Sequence, residues 1–181
     1  IGSVSVNDPE GSSITYSLSG TDASSLAISS SGVLSFGSAP NFESKNSYSA
    51  TVSASDGTNS TTQAITISVT DVNEAPAFTS STSYSVNENQ SSAGQLTASD
   101  AEGNTLIFSL GSGTDDNNLN INSSTGVLTF KQNPNYENAD SYQITASVSD
   151  GTNIVSQSVT ISITNINEAP SFSSSATFSA A

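Results

Sequence analysis

Carboxylates recur in this 181-residue chain at matched positions, with almost no base to neutralise them. Glu43 in "PNFE" returns as Glu137 in "PNYE", and Asp56 in "SDGTN" returns as Asp150 in a second "SDGTN", both 94 positions on. Asp8 and Glu10 of "DPEG" answer to Asp100 and Glu102 of "DAEG" at an offset of 92. The octapeptide "DVNEAPAF" (Asp71–Phe78) returns as "NINEAPSF" (Asn165–Phe172), so Asn73-Glu74 is repeated as Asn167-Glu168. The chain holds 16 acidic groups against two basic ones, Lys45 and Lys131, for a net charge of -14. Two carboxylates about 4 Å apart repel by roughly 1 to 4 kcal/mol, depending on the local dielectric. Where such groups gather, a hard divalent cation resolves the conflict. Calcium takes about six to eight oxygen ligands from carboxylates, amides, backbone carbonyls and water. An inventory of Asp, Glu and Asn without His or Cys fits calcium better than zinc or copper.

The same composition excludes several partners. Nucleic acid and anionic membrane surfaces both need Lys and Arg to displace counterions, so neither is expected. With no Cys there is no disulfide framework and no thiolate metal site. No apolar run approaches the roughly 18 residues of a membrane span, so direct membrane insertion is not expected. No phosphate-binding loop, nucleophile triad or zinc signature occurs. Paired carboxylates such as Glu43 and Glu74 bring glycoside hydrolysis to mind, but nothing marks a cleft or an environment that would split their pKa values. The chain is read as non-enzymatic.

The elements that must position these groups are strands. Ser, Thr and Asn are abundant, yet "SYSATVSASDG" (Ser47–Gly57) sets Tyr48, Ala50, Val52 and Ala54 on one side and mostly Ser and Thr on the other. "QAITISVTD" (Gln63–Asp71) does the same with Ile65, Ile67 and Val69. Strict alternation marks strands with one buried face. In the fuller second repeat the strand candidates are 83–86, 95–99, 106–110, 119–121, 127–130, 142–149 and 155–164, most of them separated by Gly, Asn or Asp turn signals. Such short strands suit a two-sheet sandwich with Greek-key connections. The expected fold is all-β: two tandem seven-stranded Greek-key β-sandwiches, the first lacking its first strand. The expected boundaries are 1–75 and 76–169, with 170–181 as the first strand of a third repeat.

Two offsets describe one repeat, because the drift falls inside the loops "SLSGTDASS" and "SLGSGTDDNN", where insertions are tolerated. The first repeat begins at the equivalent of Ala93, and the tail Ser171–Ala181 matches Ala77–Asn87. The chain therefore reads as a window of a longer tandem array. In a sandwich the ends of alternate strands share a pole. Asp100, Glu102 and Asp150 are expected to gather at one pole of the second repeat, and Glu43 with Asn73-Glu74 at the facing pole of the first.

Several motifs in order resemble those of cadherin repeats. "DVNEAP" resembles the family's D-x-N-D-N-x-P linker, and "NFE" and "NYE" its D-x-E motif. "SDAEG" resembles A-x-D-x-D, "VSASDG" and "ASVSDG" the later A-x-D, and "VNEN" the P-E-N of the first strand. The Ser- and Thr-rich sequence looks more like cadherin-type repeats of bacterial surface adhesins than like animal cadherins. The resemblance implies calcium between consecutive repeats. Its ligands would be the side chains of Asn41, Glu43, Asn73, Glu74, Asp100, Glu102 and Asp150, with backbone carbonyls from Val72, Ala75 and Asn104. Half-sites toward neighbouring repeats would use Asp8, Glu10, Asp56, Glu88, Asn135, Glu137, Asn167 and Glu168. Asn41 and Asn135 stand where the family has Asp, which removes a charge. Glu74 and Glu168 replace the second linker Asp and add a methylene.

The leading expectation is a calcium-binding structural or adhesion segment of an extracellular or cell-surface protein, with calcium rigidifying the junction between repeats. Its partners would be calcium, neighbouring repeats, and other copies of itself, a host surface or a polysaccharide. Two alternatives accompany it. One is a carbohydrate-binding β-sandwich, which needs an exposed aromatic strip; Phe36, Tyr48, Phe130 and Tyr142 read instead as core. The other is a self-associating unit in which the C-terminal strand is donated to another copy.

Overall fold

The computed structural model describes residues 1–173. The chain divides into two compact units, Ile1–Val72 and Asn73–Ala181. Among the described residues there is no α-helix, only strands and single 3-10 turns at Ala23–Ser25 and Asp116–Asn118. No helix among them is long and apolar enough to cross a membrane.

The first unit contains β1 (Gly2–Ser3), β2 (Thr15–Ser19), β3 (Leu26–Ile28), β4 (Val33–Phe36), β5 (Ser47–Ser55) and β6 (Ser60–Ser68). One sheet has the order β1-β4-β3 and the other β2-β5-β6, all antiparallel. The alternation read in β5 is realised: Ala50, Val52 and Ala54 are buried, Thr51 and Ser53 between them are half-buried, and Ser47 and Ser49 before them are exposed. Leu26 and Leu34 complete the buried apolar set of this unit.

The second unit contains β7 (Ala77–Phe78), β8 (Ser83–Asn87), β9 (Ser92–Gln95), β10 (Ala98–Ser99), β11 (Ile107–Leu110), β12 (Leu119–Ile121), β13 (Val127–Phe130), β14 (Ser141–Ser149) and β15 (Ile154–Thr164). Its sheets run β11-β14-β15-β8 and β12-β13-β9, with a short β7–β10 ladder beside them. The strand β8 joins β15 in parallel, with Ile161 opposite Tyr84 and Ile163 opposite Val86. Between the sheets, Leu96, Leu119, Leu128, Ile144, Val148, Val159 and Ile161 are buried. Each such side chain contributes about 1.5–3 kcal/mol relative to exposure. The fold is the expected all-β sandwich.

One strand differs from the reading of the sequence. The segment 95–99 is not continuous: β9 ends at Gln95 on β13, and β10 pairs with β7. Between them Leu96 is fully buried and its N–H donates to the Gly126 carbonyl at 2.9 Å. Just upstream, Gly94 has φ +129° and the Tyr84 ring lies where a Cβ would be, 2.7 Å from it. Only glycine admits that backbone and that close approach, so the chain kinks here and changes sheets. The tail Ser171–Ala181, read as the first strand of another repeat, lies outside the described residues from position 174 onward.

Candidate metal centre

The second unit begins with Asn73 and Glu74, and hydrogen bonds dock this pair onto the unit's own loops. The Asn73 amide donates to Asp150 Oδ2 at 2.8 Å and to the Glu74 carbonyl at 3.0 Å. Its oxygen accepts the Asn104 side-chain amide at 3.0 Å. The Glu74 N–H reaches Glu102 Oε1 at 3.4 Å. Thus the linker pair, Asp100, Glu102 and Asp150 share one pole of this unit.

Each carboxylate at this pole is held by backbone in its loop. Asp150 follows β14 and accepts the N–H groups of Thr152 and Asn153, the usual use of Asp in an Asp-Gly turn. Asp100 follows β10 and accepts the Asn104 N–H at 2.9 Å. Asp150 is lowered to a pKa of about 2, first by the Asn153 backbone and then by the Asn73 side chain. Glu102 is also lowered, first by a hydrogen bond shared with the Glu74 carboxyl, while burial and the charge on Asp150 act in the opposite sense. Both shifts keep the groups ionised at neutral pH.

What remains unmet is specific. Asp100 Oδ2 and Glu102 Oε2 are buried and have no hydrogen-bond partner among the described residues. Neither Lys nor Arg occurs in the segments 71–76, 99–104 or 149–153 that build this pole. Buried unpaired carboxylate oxygens cost several kcal/mol unless a cation or donor meets them.

The opposite pole of the second unit holds a second cluster. Glu88 is fully buried, accepting the Ile166 N–H at 2.7 Å on one oxygen and the Tyr136 N–H at 3.0 Å on the other. These backbone bonds, the Ile166 bond first, hold its pKa below the ordinary value against the opposing effect of burial. Carboxylate oxygens of Glu88, Glu137 and Glu168 lie within 4.8 Å of one another. Side-chain amides reach this group: Asn89 donates to Glu168 and Asn165 to Glu137, each at 3.0 Å. Asn135, assigned to the same place, spends its oxygen on the Asn138 N–H at 3.0 Å. Asn167 is exposed.

In the first unit, Asp8 and Asp56 line one groove, as Asp100 and Asp150 share a pole of the second. Asp8 accepts the N–H groups of Glu10 and Ser12; Asp56 accepts those of Thr58 and Asn59, which lower its pKa, Asn59 first. Glu10, Glu43 and Val72 are exposed. Asn41 caps its loop by accepting the Ser44 N–H at 2.7 Å. One of the two lysines is committed elsewhere: Lys45 pairs with Asp22 and lies 5.0 Å from the Tyr48 ring centroid. The four aromatic residues read as core pack in pairs, while Tyr136 and Phe172 are exposed. Phe36 meets Tyr48 edge-on, and Phe130 is buried against Tyr142.

Reading the sequence missed Asn153, whose amide reaches both Asp150 at 3.3 Å and the Glu74 carbonyl at 3.5 Å. Its signal was present in the repeated "SDGTN", in which only the Asp had been weighed. Asn89 was missed also; it adopts φ +64°, a left-handed conformation that Asn tolerates better than most residues.

Residues 82–165, inside the second unit, match the family described as Cadherin domain. A search of curated proteins found no match. Among solved structures, the chain is similar to human protocadherin-24 EC1-2, at 21% identity over 91% of this chain and 88% of that one, with a TM-score of 0.62. Mouse cadherin-23 EC22-24 is 24% identical over 91% of this chain and 59% of its own, with a TM-score of 0.58. A protocadherin gammaB7 EC3-6 structure, described as a cis-dimer, is 24% identical over 86% and 41%, also at 0.58. These likenesses show the fold: the chain is built as cadherin-like β-sandwich.

Proposed function

We propose that the chain is a calcium-binding structural and adhesion segment of an extracellular repeat protein. Its Ser- and Thr-rich composition favours a bacterial surface adhesin. The observation that carries this reading is the pair of buried, unpartnered oxygens, Asp100 Oδ2 and Glu102 Oε2, at a pole with no Lys or Arg in its loops. An all-oxygen donor set of this kind fits calcium. Asp100, Glu102, Asp150 and Glu74 would hold the ion through carboxylates, and Asn73 through its amide oxygen. Backbone carbonyls of Val72, Ala75 and Asn104 complete the proposed set, with Asn41 and Glu43 contributed by the first unit. Bound calcium would supply the positive charge that this pole lacks.

The chain's own residues then do mechanical work. Asn73 and Glu74 are already tied to Asp150 and Glu102, so an ion held by the same groups would stiffen the linker 71–76 against the second unit. Pro76, buried behind it, restricts Ala75 to extended backbone. The Glu88, Glu137 and Glu168 cluster and the Asp8, Glu10 and Asp56 loops would serve junctions with further repeats. The role is structural, not catalytic.

Calcium titration by calorimetry on the parent, Glu74→Ala and Asp100→Ala tests this. The parent is expected to bind at an affinity on the order of 10⁻⁴–10⁻³ M or tighter, the range of extracellular modules. Each variant is expected to lose at least about tenfold, equivalent to about 1.4 kcal/mol. Variants that bind like the parent would remove this pole from consideration.

A further inference from the structure

The two units build the same turn on matched acidic residues and differ in it by one proline. In the first unit Asp8 Oδ1 accepts the Glu10 and Ser12 N–H groups, at 2.9 and 3.0 Å. The Asp8 backbone carbonyl accepts the Gly11 N–H at 3.2 Å. In the second unit Asp100 Oδ1 accepts the Asn104 N–H at 2.9 Å, and the Asp100 carbonyl accepts the Gly103 N–H at 3.3 Å. Gly11 and Gly103 hold φ at +74° and +72°. The residue after the aspartate is Pro9 in one turn and Ala101 in the other. The peptide bond between Asp8 and Pro9 therefore joins a hydrogen-bonded carbonyl to a prolyl nitrogen. The carboxyl of the same Asp8 is turned toward the downstream backbone. Both of its bonds fall on Oδ1, and Oδ2 accepts none among the described residues.

We propose that Asp8–Pro9 is a self-cleaving bond, cut by the carboxylate of Asp8 itself. Asp8 Oδ2 attacks the Asp8 carbonyl carbon and closes a cyclic anhydride. As that C–O bond forms, the C–N bond to Pro9 breaks, and the Pro9 nitrogen takes a proton from water and leaves as a secondary amine. The hydroxide so formed opens the anhydride, which leaves Asp8 with a free α-carboxylate and Pro9 as a new N-terminus. The net change is hydrolysis of one peptide bond by one water. During the attack negative charge collects on the Asp8 carbonyl oxygen, where the Gly11 N–H already donates. The two bonds on Oδ1 hold the carboxyl in place beside the bond it attacks, in the manner of an oriented intramolecular nucleophile. A peptide nitrogen departs only when it gains a proton, and the prolyl nitrogen, with its extra carbon substituent, is the more basic. It carries no N–H, so its departure breaks no hydrogen bond of the turn. The same turn at Asp100 offers an ordinary amide nitrogen, that of Ala101, and is expected to stay whole.

The cut falls between β1 and β2. Once it is made, β1 is hydrogen-bonded to its unit through the two-residue ladder with β4 and the bond from the Val4 N–H to the Gly32 carbonyl at 2.8 Å. Pairings this short are marginal in water, so the segment ahead of Pro9 is expected to come away. The first unit thus carries a breaking point that the second lacks. The event happens once per chain, needs no pocket for a separate substrate, and rests on no bound ion.

The test is prolonged incubation of the full chain at neutral pH, below its unfolding temperature, read by intact mass and N-terminal sequencing. Chelator is present throughout, which keeps the outcome separate from the calcium reading. The parent is expected to give fragments 1–8 and 9–181. It is expected to do so about tenfold or more faster than a synthetic peptide of residues 4–13 in the same buffer, a small part of what one oriented donor gives an enzyme. Asp8→Ser keeps an oxygen for the turn but removes the nucleophile, and Pro9→Ala removes the leaving group; both are expected to stay whole at this bond. Gly11→Ala places its Cβ in open space, yet its backbone resists φ +74°; its rate is expected to fall toward that of the peptide. A parent that cuts no faster than the peptide overturns the proposal. So does Asp8→Ser that cuts like the parent, or a parent that cuts as readily after Asp100 as after Asp8.

Discussion

The last long strand of each unit carries the same inward row: Ile65 and Ile67, with Val69 just past its end, in the first, and Val159, Ile161 and Ile163 in the second. The second row is at most 4% exposed, while the first is only half-buried. Both strands pair with an equally long antiparallel neighbour in the same register. What separates them is the parallel strand β8, whose Tyr84 and Val86 pack against the core of the second unit. An inward-facing residue is therefore buried by the next strand in the sheet as much as by the sheet opposite. Alternation specifies the face, and the number of neighbours decides how dry that face becomes.

The largest effect that tests this comparison comes from deleting matched methyl groups. Ile161→Ala is expected to cost about 2–5 kcal/mol, the range for fully buried Ile, and Ile67→Ala clearly less. Denaturant unfolding of the two variants, followed with hydrogen exchange to assign each unit, measures both. Equal losses would show that β8 does not close the core.

A smaller effect is expected at the matched glycines. Gly94→Ala meets the Tyr84 ring at 2.7 Å with φ at +129°, a strain of about 1–3 kcal/mol. Gly2→Ala enters open space and is expected to change stability by less than about 0.5 kcal/mol. Thermal unfolding of the two single variants reads the contrast. A Gly2→Ala loss as large as that of Gly94→Ala would show that the Tyr84 ring is not the source of the contrast.

Acid should narrow the gap between the units, and this is the smallest of the three effects. Glu88, Glu102 and Asp150 in the second unit are lowered, as are Asp22 and Asp56 in the first. Asp22 is lowered chiefly by its bond from Lys45, then by the Ser49 backbone. For a lowered carboxyl the unfolded chain binds the proton first, so its contribution is complete above the unfolded value of roughly 4. The contribution disappears as pH falls through the folded values, to about 2 for Asp150. Denaturant midpoints taken with chelator at pH 7 and pH 3 should converge. Midpoints that diverge would reverse the assignment.

Much of this was readable from the residues. The strands 119–121 and 127–130 agree to the residue, because Asn-rich and Gly-containing turns bound them closely. The division at Gly94 was not readable, because its cause is a ring from another strand pressing on the backbone. Nor does alternation say whether a neighbour runs parallel, so the β8–β15 pairing came only from the structure. At the candidate site, the repeat marked Asp100, Glu102 and Asp150 as companions because acidic residues have few reasons to recur together. The amides of Asn89, Asn153 and Asn165 were hidden, since Asn is abundant here and as common in plain turns as in a site. The burial of Glu88 was hidden too: it rests on N–H groups of Tyr136 and Ile166, far away in sequence.

The parallel pairing of β8 with β15 has a consequence under tension. One strand lies near the start of the second unit and the other ends it, and both point the same way. Pulling the two ends of that unit apart drags the strands past each other along their length. Their hydrogen bonds are then loaded in shear, all together, rather than peeled open one at a time.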